Sequence, residues 1–463
     1  MCFQIAVRHG RRSTIVSMAS PLLSYAEAVE QVHRFLLALA EGRAIPTNPE
    51  IGEPEFPESV EQPESRWETV PLAASAGRVL ASALRADRDL PPFPRSTRDG
   101  FACRAAEAST NQFLFVAGHI RAGQDPVTIG SGVLGPGEVW EIMTGAPVPE
   151  GADAVFMVEH AEHSAGAAEP ASGVTPDFVR LTAGRTIQPG ENIVPRGAEA
   201  RAGDMLVPPG VRVGPAQIAL AAQCGYFQLA VIARPRVAIL STGDELVPLE
   251  ATPGPSQIRN SNSPMLAALV TEAGGEAIIL PAVPDQEDAL DAAIQLAMPT
   301  DLLLITGGIS MGRFDLVEDA LIRAGARFFF GGVAIQPGKP VVFGQLPRRN
   351  ARPLPFFALP GNPVSSAVTF HLFAAPLVAA LCGDSGPKPR FALARLTGEW
   401  RGKPGLTRFL PGSCDFAAET DVRLVPWQGS GDLAAFARSN CFLVVPADAS
   451  EIPEGSTVQI LLT

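Results

Sequence analysis

Four nearly continuous apolar runs lie in the second half of the chain, and each ends in a polar or glycine-rich turn. The runs are at residues 236–240, 278–280, 302–305 and 356–359. Patterns with helical spacing follow them at residues 265–272, 287–297, 316–324 and 365–381. Apolar runs without alternation indicate strands covered on both faces, as in a parallel sheet between helices. The alternation of strand and helix therefore predicts a doubly wound α/β domain at residues 232–384.

Other periodicities lie on either side of this domain. Short alternating segments separated by Gly and Pro turns, between Phe113 and Leu181, predict a small β subdomain inserted at about residues 95–190. A run of strands with glycine turns after Gly386 predicts a C-terminal β barrel at residues 385–463. The predicted fold class is therefore multidomain, α/β plus β.

The N-terminal region is predicted to cover residues 21–231. Its first helix should begin at Ser24, because Ser24 and Glu27 have the spacing of a capping box. Residues 1–20 are expected to be a disordered extension, with Met18 as an alternative start. Residues 42–67 are rich in Pro and Glu and show little periodicity, which predicts an exposed loop.

The four turns are the candidate site. Ligands bind to an open α/β sheet at the carboxyl ends of its strands, where helix N-termini direct free N–H groups at anions, so the turns should meet at one edge. They carry carboxylates, hydroxyls, glycines and one lysine: Asp244, Glu245, Asp285, Asp315, Thr242, Thr306, Ser310, Ser365, Gly307, Gly308 and Lys339. Carboxylates beside an anion site indicate a hard cation between them, and Mg²⁺ shared with a phosphate is the expected ion.

The turn Pro360-Gly361-Asn362-Pro363 is sharper than the other three. Two prolines bracket it, and its Asn362 precedes Ser365 at a helix start. Taken alone, each turn also has a purely structural explanation. Asp and Glu beside a helix are typical capping residues, and paired glycines are typical of any tight turn. The functional interpretation depends on the four turns lying together.

Composition narrows the functional classes. The net charge of -12 argues against general nucleic-acid binding, which needs a basic surface. No apolar run that approaches the roughly 20 residues of a bilayer span is evident, so no membrane association is expected. The six cysteines include no C-x-x-C pair, which favours a reduced, cytoplasmic compartment.

Seven further motifs occur in a fixed order, at residues 90–93, 96–102, 142–155, 190–193, 257–263, 335–340 and 439–442. The best defined are Gln257-Ile258-Arg259-Asn260-Ser261-Asn262-Ser263 and Ile335-Gln336-Pro337-Gly338-Lys339-Pro340. With the four turns, they resemble the molybdopterin molybdenumtransferases, the MoeA and gephyrin E-domain family, from about Leu22 to the end. The resemblance implies that the α/β domain binds molybdopterin and that the N-terminal region is elongated.

The resemblance also implies an activity. It is molybdenum insertion into adenylylated molybdopterin with release of AMP, in molybdenum cofactor biosynthesis. The substrates would be adenylylated molybdopterin and molybdate, with a molybdopterin adenylyltransferase as a candidate donor. Carried over by motif, the catalytic positions are Asp99, Thr144, Glu199, Glu245, Asp285, Asp315 and Lys339. The substrate-binding positions are Asp244, Thr306, Gly307, Gly308, Ser310, Pro360, Gly361, Asn362, Pro363 and Ser365.

Three roles follow from the resemblance. Asp285 and Asp315 would bind Mg²⁺ or orient a water molecule, and Lys339 would attract an oxyanion. Asp99, Thr144 and Glu199 lie far away in the sequence. The resemblance implies a homodimer in which these three face the α/β domain of the other subunit.

The chain departs from the family pattern at four positions. Gly332, Gln336, Leu406 and Pro411 stand where the family usually carries Lys or Arg. Other candidates for the missing charge are Arg259, Arg313 and Arg408. Two alternative functions remain open on the sequence: a molybdopterin adenylyltransferase, and a catalytically weak pterin-binding scaffold of the same fold.

Overall fold

The computed structural model describes most of the chain. It covers residues 22–41, 66–129, 132–164, 177–308, 316–349, 351–384, 386–416 and 420–463. The predicted extension at residues 1–20, almost all of the predicted loop at residues 42–67, and the predicted site residues Ser310 and Asp315 lie outside the described residues.

Nine α-helices lie within the described residues. They are α1 (Tyr25–Glu41), α2 (Ala105–Ala108), α3 (Pro215–Gln223), α4 (Asn262–Glu272), α5 (Glu287–Ala297), α6 (Leu316–Arg323), α7 (Pro363–Thr369), α8 (Ala375–Leu381) and α9 (Leu433–Phe436). The predicted capping box of α1 is confirmed, because the Ser24 N–H donates to Glu27 Oε2 at 2.8 Å and the Glu27 N–H donates to Ser24 Oγ at 3.2 Å. These bonds hold the pKa of Glu27 below its usual value.

Contacts divide the chain into two units. One comprises Val70–Ala76 and Ser82–Leu229, and the other comprises Met1–Thr69, Gly77–Ala81 and Ala230–Thr463. The first helix, which the sequence assigns to the N-terminal region, thus packs within the unit that contains the α/β domain. Its Ala28, Val32 and Phe35 share a core with strands and helices of that domain.

The first of these units contains the inserted β subdomain. Its strands are β1 (Gly100–Cys103), β2 (Leu114–Ile120), β3 (Glu138–Ile142), β4 (Ala154–Met157), β5 (Ala161–His163) and β6 (Phe178–Leu181). They form one six-stranded sheet in the order β4-β1-β3-β2-β6-β5, in which only β2 and β3 run parallel. Strand β2 alternates buried and exposed residues along its whole length, as a strand with one solvated face should. The predicted β subdomain is confirmed.

The second unit contains the α/β sheet. Its strands are β7 (Arg236–Ser241), β8 (Glu276–Ile279), β9 (Leu302–Thr306) and β10 (Arg327–Phe330), followed, after the short β11 (Ile335–Gln336), by β12 (Val342–Leu346) and β13 (Leu354–Leu359). The sheet order is β8-β7-β9-β13-β12-β10. The first four strands are parallel, whereas β12 runs antiparallel to both of its neighbours. The predicted parallel core is therefore extended by an antiparallel edge.

Helices cover both faces of this sheet. Val237 and Ile239 of β7 pack towards α1, α4, α7 and α8, while Ala238 and Leu240 pack towards α5 and α6. All four side chains are fully buried. Because alternate residues of one strand enter two different cores, the strand has to be apolar throughout. The predicted doubly wound arrangement is confirmed.

The helix that follows β13 is unusually apolar. Residues Pro363–Leu381 run through α7, a π-helical segment (Phe370–Ala374) and α8 without a break. By length and composition this 19-residue helix would suffice to cross a membrane, which corrects the expectation that no run approaches that length. It is 72% buried, however, because it lies between the sheet and α1. Packing inside the unit accounts for its apolar surface.

The C-terminal strands close into a barrel. They are β14 (Phe391–Thr397), β15 (Thr407–Phe416), β16 (Thr420–Leu424), β17 (Cys441–Val445) and β18 (Thr457–Leu462). Strand β15 pairs with both β16 and β17, so the order β15-β16-β14-β18-β17 returns to β15. The short β11 joins the outside of β15 in parallel. The predicted barrel is confirmed.

His371 gives the stability of this unit a pH dependence. It lies in the π-helical segment, where burial and the charge of Arg390 lower its pKa to about 4. Between its ordinary pKa of 6.5 and about 4, the unfolded chain binds a proton that the folded chain does not. Above pH 6.5 this histidine therefore does not lower the unfolding free energy. Between pH 6.5 and about pH 4 the unfolding free energy falls by about 1.4 kcal/mol for each pH unit of acidification.

We expect His371→Gln to flatten the difference in unfolding free energy between pH 7 and pH 5. Urea unfolding at the two pH values would measure it, because the carboxylates contribute equally to both proteins and cancel. The exposed His33 of α1 offers a matched control as His33→Gln, which should leave the difference unchanged. An equal loss of stability on acidification in wild type and His371→Gln would contradict the assignment.

Candidate active site

The carboxyl ends of the parallel strands meet at one edge of the sheet. Ser241 is in register with Thr306, which is in register with Leu359, and Thr242 forms a bridge to Val283. The turns that follow these strands surround a cavity of about 710 Å³. Every described residue that lines the cavity belongs to the unit that contains the α/β domain. The predicted convergence of the turns therefore occurs.

Two glycines bring the backbone close to the cavity. Gly307 has a φ of +98°, and a Cβ atom there would lie 2.2 Å from the carbonyl oxygen of Thr242. Gly308 has a φ of +63°, and its Cβ would lie 2.6 Å from Val317 Cγ2. No side chain larger than hydrogen fits at either position without a shift of the surroundings. The turn is therefore built for close approach of a ligand to the main chain.

Carboxylates gather on one side of the cavity. Asp285 accepts a hydrogen bond from the Thr242 hydroxyl, and its N–H donates to Asp244 Oδ1 at 3.2 Å. Glu245 lines the cavity together with Asp285. These groups are all hard oxygen donors, the ligands that Mg²⁺ prefers.

The described residues fit a magnesium site that is completed by its ligand. Within that part of the chain, no group of three His, Cys, Asp or Glu side chains is arranged to hold a metal by itself. Mg²⁺ commonly binds through one or two carboxylates and takes its remaining ligands from water and substrate phosphates. Asp285 is the described residue placed for that role.

Two helices begin at the cavity. Ser261 and Asn262 line it at the start of α4, and Asn362 and Pro363 line it at the start of α7. Among the described residues, neither N-cap side chain makes a capping hydrogen bond. The Ser263 N–H of α4 donates instead to Asn260 Oδ1 at 3.1 Å, and the positive ends of the two helix dipoles favour an anion here.

Asn262 ties the turns together. Its Nδ2 donates to Thr306 Oγ1 at 2.8 Å and to the carbonyl oxygen of Gly361 at 2.7 Å. Because both partners accept, the orientation of the amide is set. Its Oδ1 is buried and has no partner among the described residues. Thr306 is itself buried and also contacts the carbonyl oxygen of Pro360, so β9, β13 and α4 are fixed relative to one another at this point.

The barrel supplies one wall of the cavity. Asn362 Nδ2 donates to Ser430 Oγ at 2.9 Å, and the Val364 N–H donates to the Ser430 carbonyl at 3.0 Å. Gly431 and Leu433, which follow Ser430, line the cavity. The loop before α9 is thereby held against the Pro360–Pro363 turn.

Lys339 and its neighbours lie beside the cavity. Pro340 lines it, and the Lys339 side chain is half-buried. Gln336 is exposed, and its Oε1 accepts from Arg408 Nε at 3.1 Å. The Arg408 guanidinium also faces the Trp400 ring, with 5.7 Å between Cζ and the ring centroid. A cation is thus present beside the uncharged residue at position 336.

A side chain at position 332 would have to displace the Leu22 side chain. Gly332 is buried, and a Cβ there would lie 2.7 Å from Leu22 Cδ2. The neighbouring chain forms a bridge between Leu23 and Val333. The residues before α1 therefore occupy the space beside Gly332, where the family usually carries a cation.

Three predicted catalytic residues lie in the unit that contains the β subdomain. Asp99 Oδ1 accepts from the Thr144 N–H at 2.6 Å and from the Thr144 hydroxyl at 2.9 Å, and these bonds lower the pKa of Asp99. Glu199 accepts from Arg95 at 2.9 Å. The strand that contains Arg95 also bonds to Gly145, next to Thr144. The structure therefore gathers these residues around one short strand.

Most of the predicted residues of the α/β domain border the cavity. Among the described residues the exceptions are Asp244, Lys339 and Ser365, of which Ser365 is buried within α7. The predicted site does not include four residues that line the cavity: Ser241, Asn260, Ser261 and Asn262. Their signal was the Asn-Ser-Asn run of residues 260–262 before a helical pattern, which is a typical helix start. Gly431 and Leu433 had no local signal.

Three family models match the chain. They are the MoeA N-terminal region (domain I and II) at residues 23–225, the probable molybdopterin binding domain at residues 238–380, and the MoeA C-terminal region (domain IV) at residues 393–463. Along the chain they cover in turn the predicted N-terminal region, the α/β domain and the barrel.

Curated proteins and solved structures agree with these matches. The chain is 36% identical to a molybdopterin molybdenumtransferase of Bacillus subtilis (strain 168), over 87% of this chain and 90% of that protein. It is 31% identical to a protein of the same name from Staphylococcus aureus (strain COL), over 85% of this chain and 91% of that protein. The crystal structure of a molybdopterin biosynthesis MoeA protein from Pyrococcus horikoshii OT3 superimposes with a TM-score of 0.73 at 25% identity, covering 96% of this chain and 100% of that one. The chain therefore belongs to the MoeA family of molybdopterin molybdenumtransferases.

Proposed function

We propose that this chain inserts molybdenum into adenylylated molybdopterin and releases AMP, in molybdenum cofactor biosynthesis. The observation that carries the proposal is the cavity itself. It combines a glycine turn, the N-termini of two helices and a group of carboxylates. A phosphoanhydride needs N–H donors for its oxygens and a cation between it and those carboxylates.

Different residues would bind the phosphates, the metal ion and the oxyanion. The Gly307-Gly308 turn and the starts of α4 and α7 would bind and orient the phosphates. Mg²⁺, when bound, would neutralise charge on the phosphate oxygens. Asp285 would hold that ion, together with Asp315, and the Thr242 hydroxyl orients the Asp285 carboxylate. Lys339, in the loop beside the cavity, would attract an oxyanion.

The test is incubation of the purified chain with adenylylated molybdopterin, molybdate and Mg²⁺. We expect AMP release that depends on molybdate. Incorporation of AMP from ATP into molybdopterin would instead identify an adenylyltransferase. Binding of the adenylylated pterin without any molybdate-dependent AMP release would identify a scaffold.

We also propose that the chain works as a cytoplasmic homodimer that takes its substrate from a molybdopterin adenylyltransferase. Asp99, Thr144 and Glu199 belong to a different unit from the cavity. The family resemblance implies that in a dimer they face the cavity of the other subunit. The described cysteines are free and buried, as expected for a reducing compartment. Light scattering should give twice the 48.6 kDa of one chain. A fully active monomer would overturn the dimer.

Position 336 allows a test of the oxyanion requirement. We expect Gln336→Lys to lower the molybdate concentration for half-maximal rate by about fivefold, because one added cation near a dianion contributes on the order of 1 kcal/mol after screening. The affinity for the adenylylated pterin should change less. Gln295→Lys on α5, equally exposed, adds the same charge elsewhere and should change neither value. An unchanged requirement in Gln336→Lys would mean that Arg408, which already bonds to Gln336, supplies the charge.

A further inference from the structure

Arg259 is a cation on the wall of the cavity. Of the described residues that line the cavity, it alone carries a positive charge, whereas Glu245 and Asp285 carry negative charges. Its side chain is exposed, and within the described part of the chain it forms no ion pair. An arginine without a counter-charge in a cavity that handles anions needs an explanation.

The backbone holds this arginine in one orientation. Arg259 Nε donates to the carbonyl oxygens of Leu249 at 2.9 Å and Ala251 at 3.1 Å. Its own backbone is held by the short parallel pairing of Val247 with Arg259. A purely structural arginine, one that fastens this loop, would be satisfied by these bonds. They use only Nε, however, and no described acceptor bonds to either terminal Nη group.

The surroundings of Arg259 favour an anion with an apolar neighbour. Ser261 and Asn262, two and three residues later, begin the 11-residue helix α4 at the cavity wall. On the other side stand Ile258, whose side chain is 57% exposed, and Leu246. Ligand pockets commonly combine apolar lining side chains with a few polar or charged groups. The positive charge and the helix start thus lie on the same stretch of wall.

We propose that Arg259 binds a tetrahedral oxyanion of the substrate through its two Nη groups, with Nε as the anchor. This proposal rests on the proposed function, and it names a residue that binds one of the reacting oxyanions. The planar guanidinium matches two oxygens of a phosphate at once. Two sources offer this chemistry in the reaction: the phosphate of the adenylyl group, and molybdate.

The test separates the two sources by direct binding. Calorimetry would measure the affinities of AMP and of molybdate for the wild type, Arg259→Gln and Arg259→Lys. If the phosphate is bound, Arg259→Gln should weaken AMP binding about tenfold with molybdate binding unchanged. If molybdate is bound, the losses are reversed. Arg259→Lys should recover part of the loss, because it keeps the charge and gives up the Nε anchor.

Arg236→Gln is the matched control. Arg236 is exposed and begins β7 at the end of the sheet opposite the cavity, so it tests the loss of one positive charge from the same domain. It should bind both anions like the wild type. Unchanged binding of both anions in Arg259→Gln would overturn the proposal, as would an equal loss in Arg236→Gln. A wild type that binds AMP but releases none from adenylylated molybdopterin would count against the proposed function alone.

Discussion

Replacing Asp285 with Asn should lower the rate of AMP release by at least about 100-fold and leave the fold intact. The amide keeps the shape of the carboxylate and can still accept from the Thr242 hydroxyl. It lacks the negative charge that would hold Mg²⁺ beside the phosphates. A 100-fold loss corresponds to about 2.7 kcal/mol of transition-state stabilisation, which is within the range of a lost metal ligand. The same result is expected for Asp315→Asn, at the position that lies outside the described residues.

Two measurements make this prediction specific. The Mg²⁺ concentration for half-maximal AMP release should rise in Asp285→Asn, while the midpoint of thermal unfolding stays within a few degrees of the wild type. Asp288→Asn removes an equal charge three residues away, in the exposed first turn of α5, and should leave the rate unchanged. A near-normal rate and Mg²⁺ requirement in Asp285→Asn would show that this carboxylate does not hold the ion.

The convergence of the turns could be predicted because it follows from local patterns and a general rule. The run from Val237 to Leu240 is apolar on both faces, and this is sufficient evidence for a strand inside a covered parallel sheet. Parallel strands all end at the same edge, so Thr242, Thr306 and Pro360 had to lie together. The paired glycines at residues 307–308 predict a tight turn because glycine adopts a positive φ without steric cost. In each case the information lies within a few residues of the site.

Features that join distant segments could not be predicted in this way. The antiparallel strand β12 pairs with β13, and nothing in its five residues specifies that direction. The bond between Asn362 and Ser430 joins residues from the α/β domain and the barrel. The bond between Gln336 and Arg408 exists because β11 joins the outside of the barrel. A substitution at position 336 is therefore understood only once its neighbour across the sequence is known.

Gly307→Ala should destabilise the α/β domain by about 2–4 kcal/mol, because two independent penalties act at this position. A backbone φ of +98° is strained for alanine and costs on the order of 1–3 kcal/mol. The added Cβ would also lie 2.2 Å from the Thr242 carbonyl oxygen, so the ends of β7 and β9 must separate. Thermal unfolding and urea unfolding should both show the loss, and AMP release should fall with it.

Gly361→Ala is the control that separates the effect of backbone strain from the effect of a methyl group that narrows the cavity. Gly361 also lines the cavity, but a Cβ there would have Gly307 Cα as its nearest neighbour, at an ordinary distance of 3.6 Å. Its stability should stay within about 0.5 kcal/mol of the wild type, while the methyl group weakens AMP binding by narrowing the site. Equal stability of the two variants would show that the backbone at Gly307 accommodates a methyl group at little cost. The main-chain contacts to the ligand would then have to come from the helix N-termini.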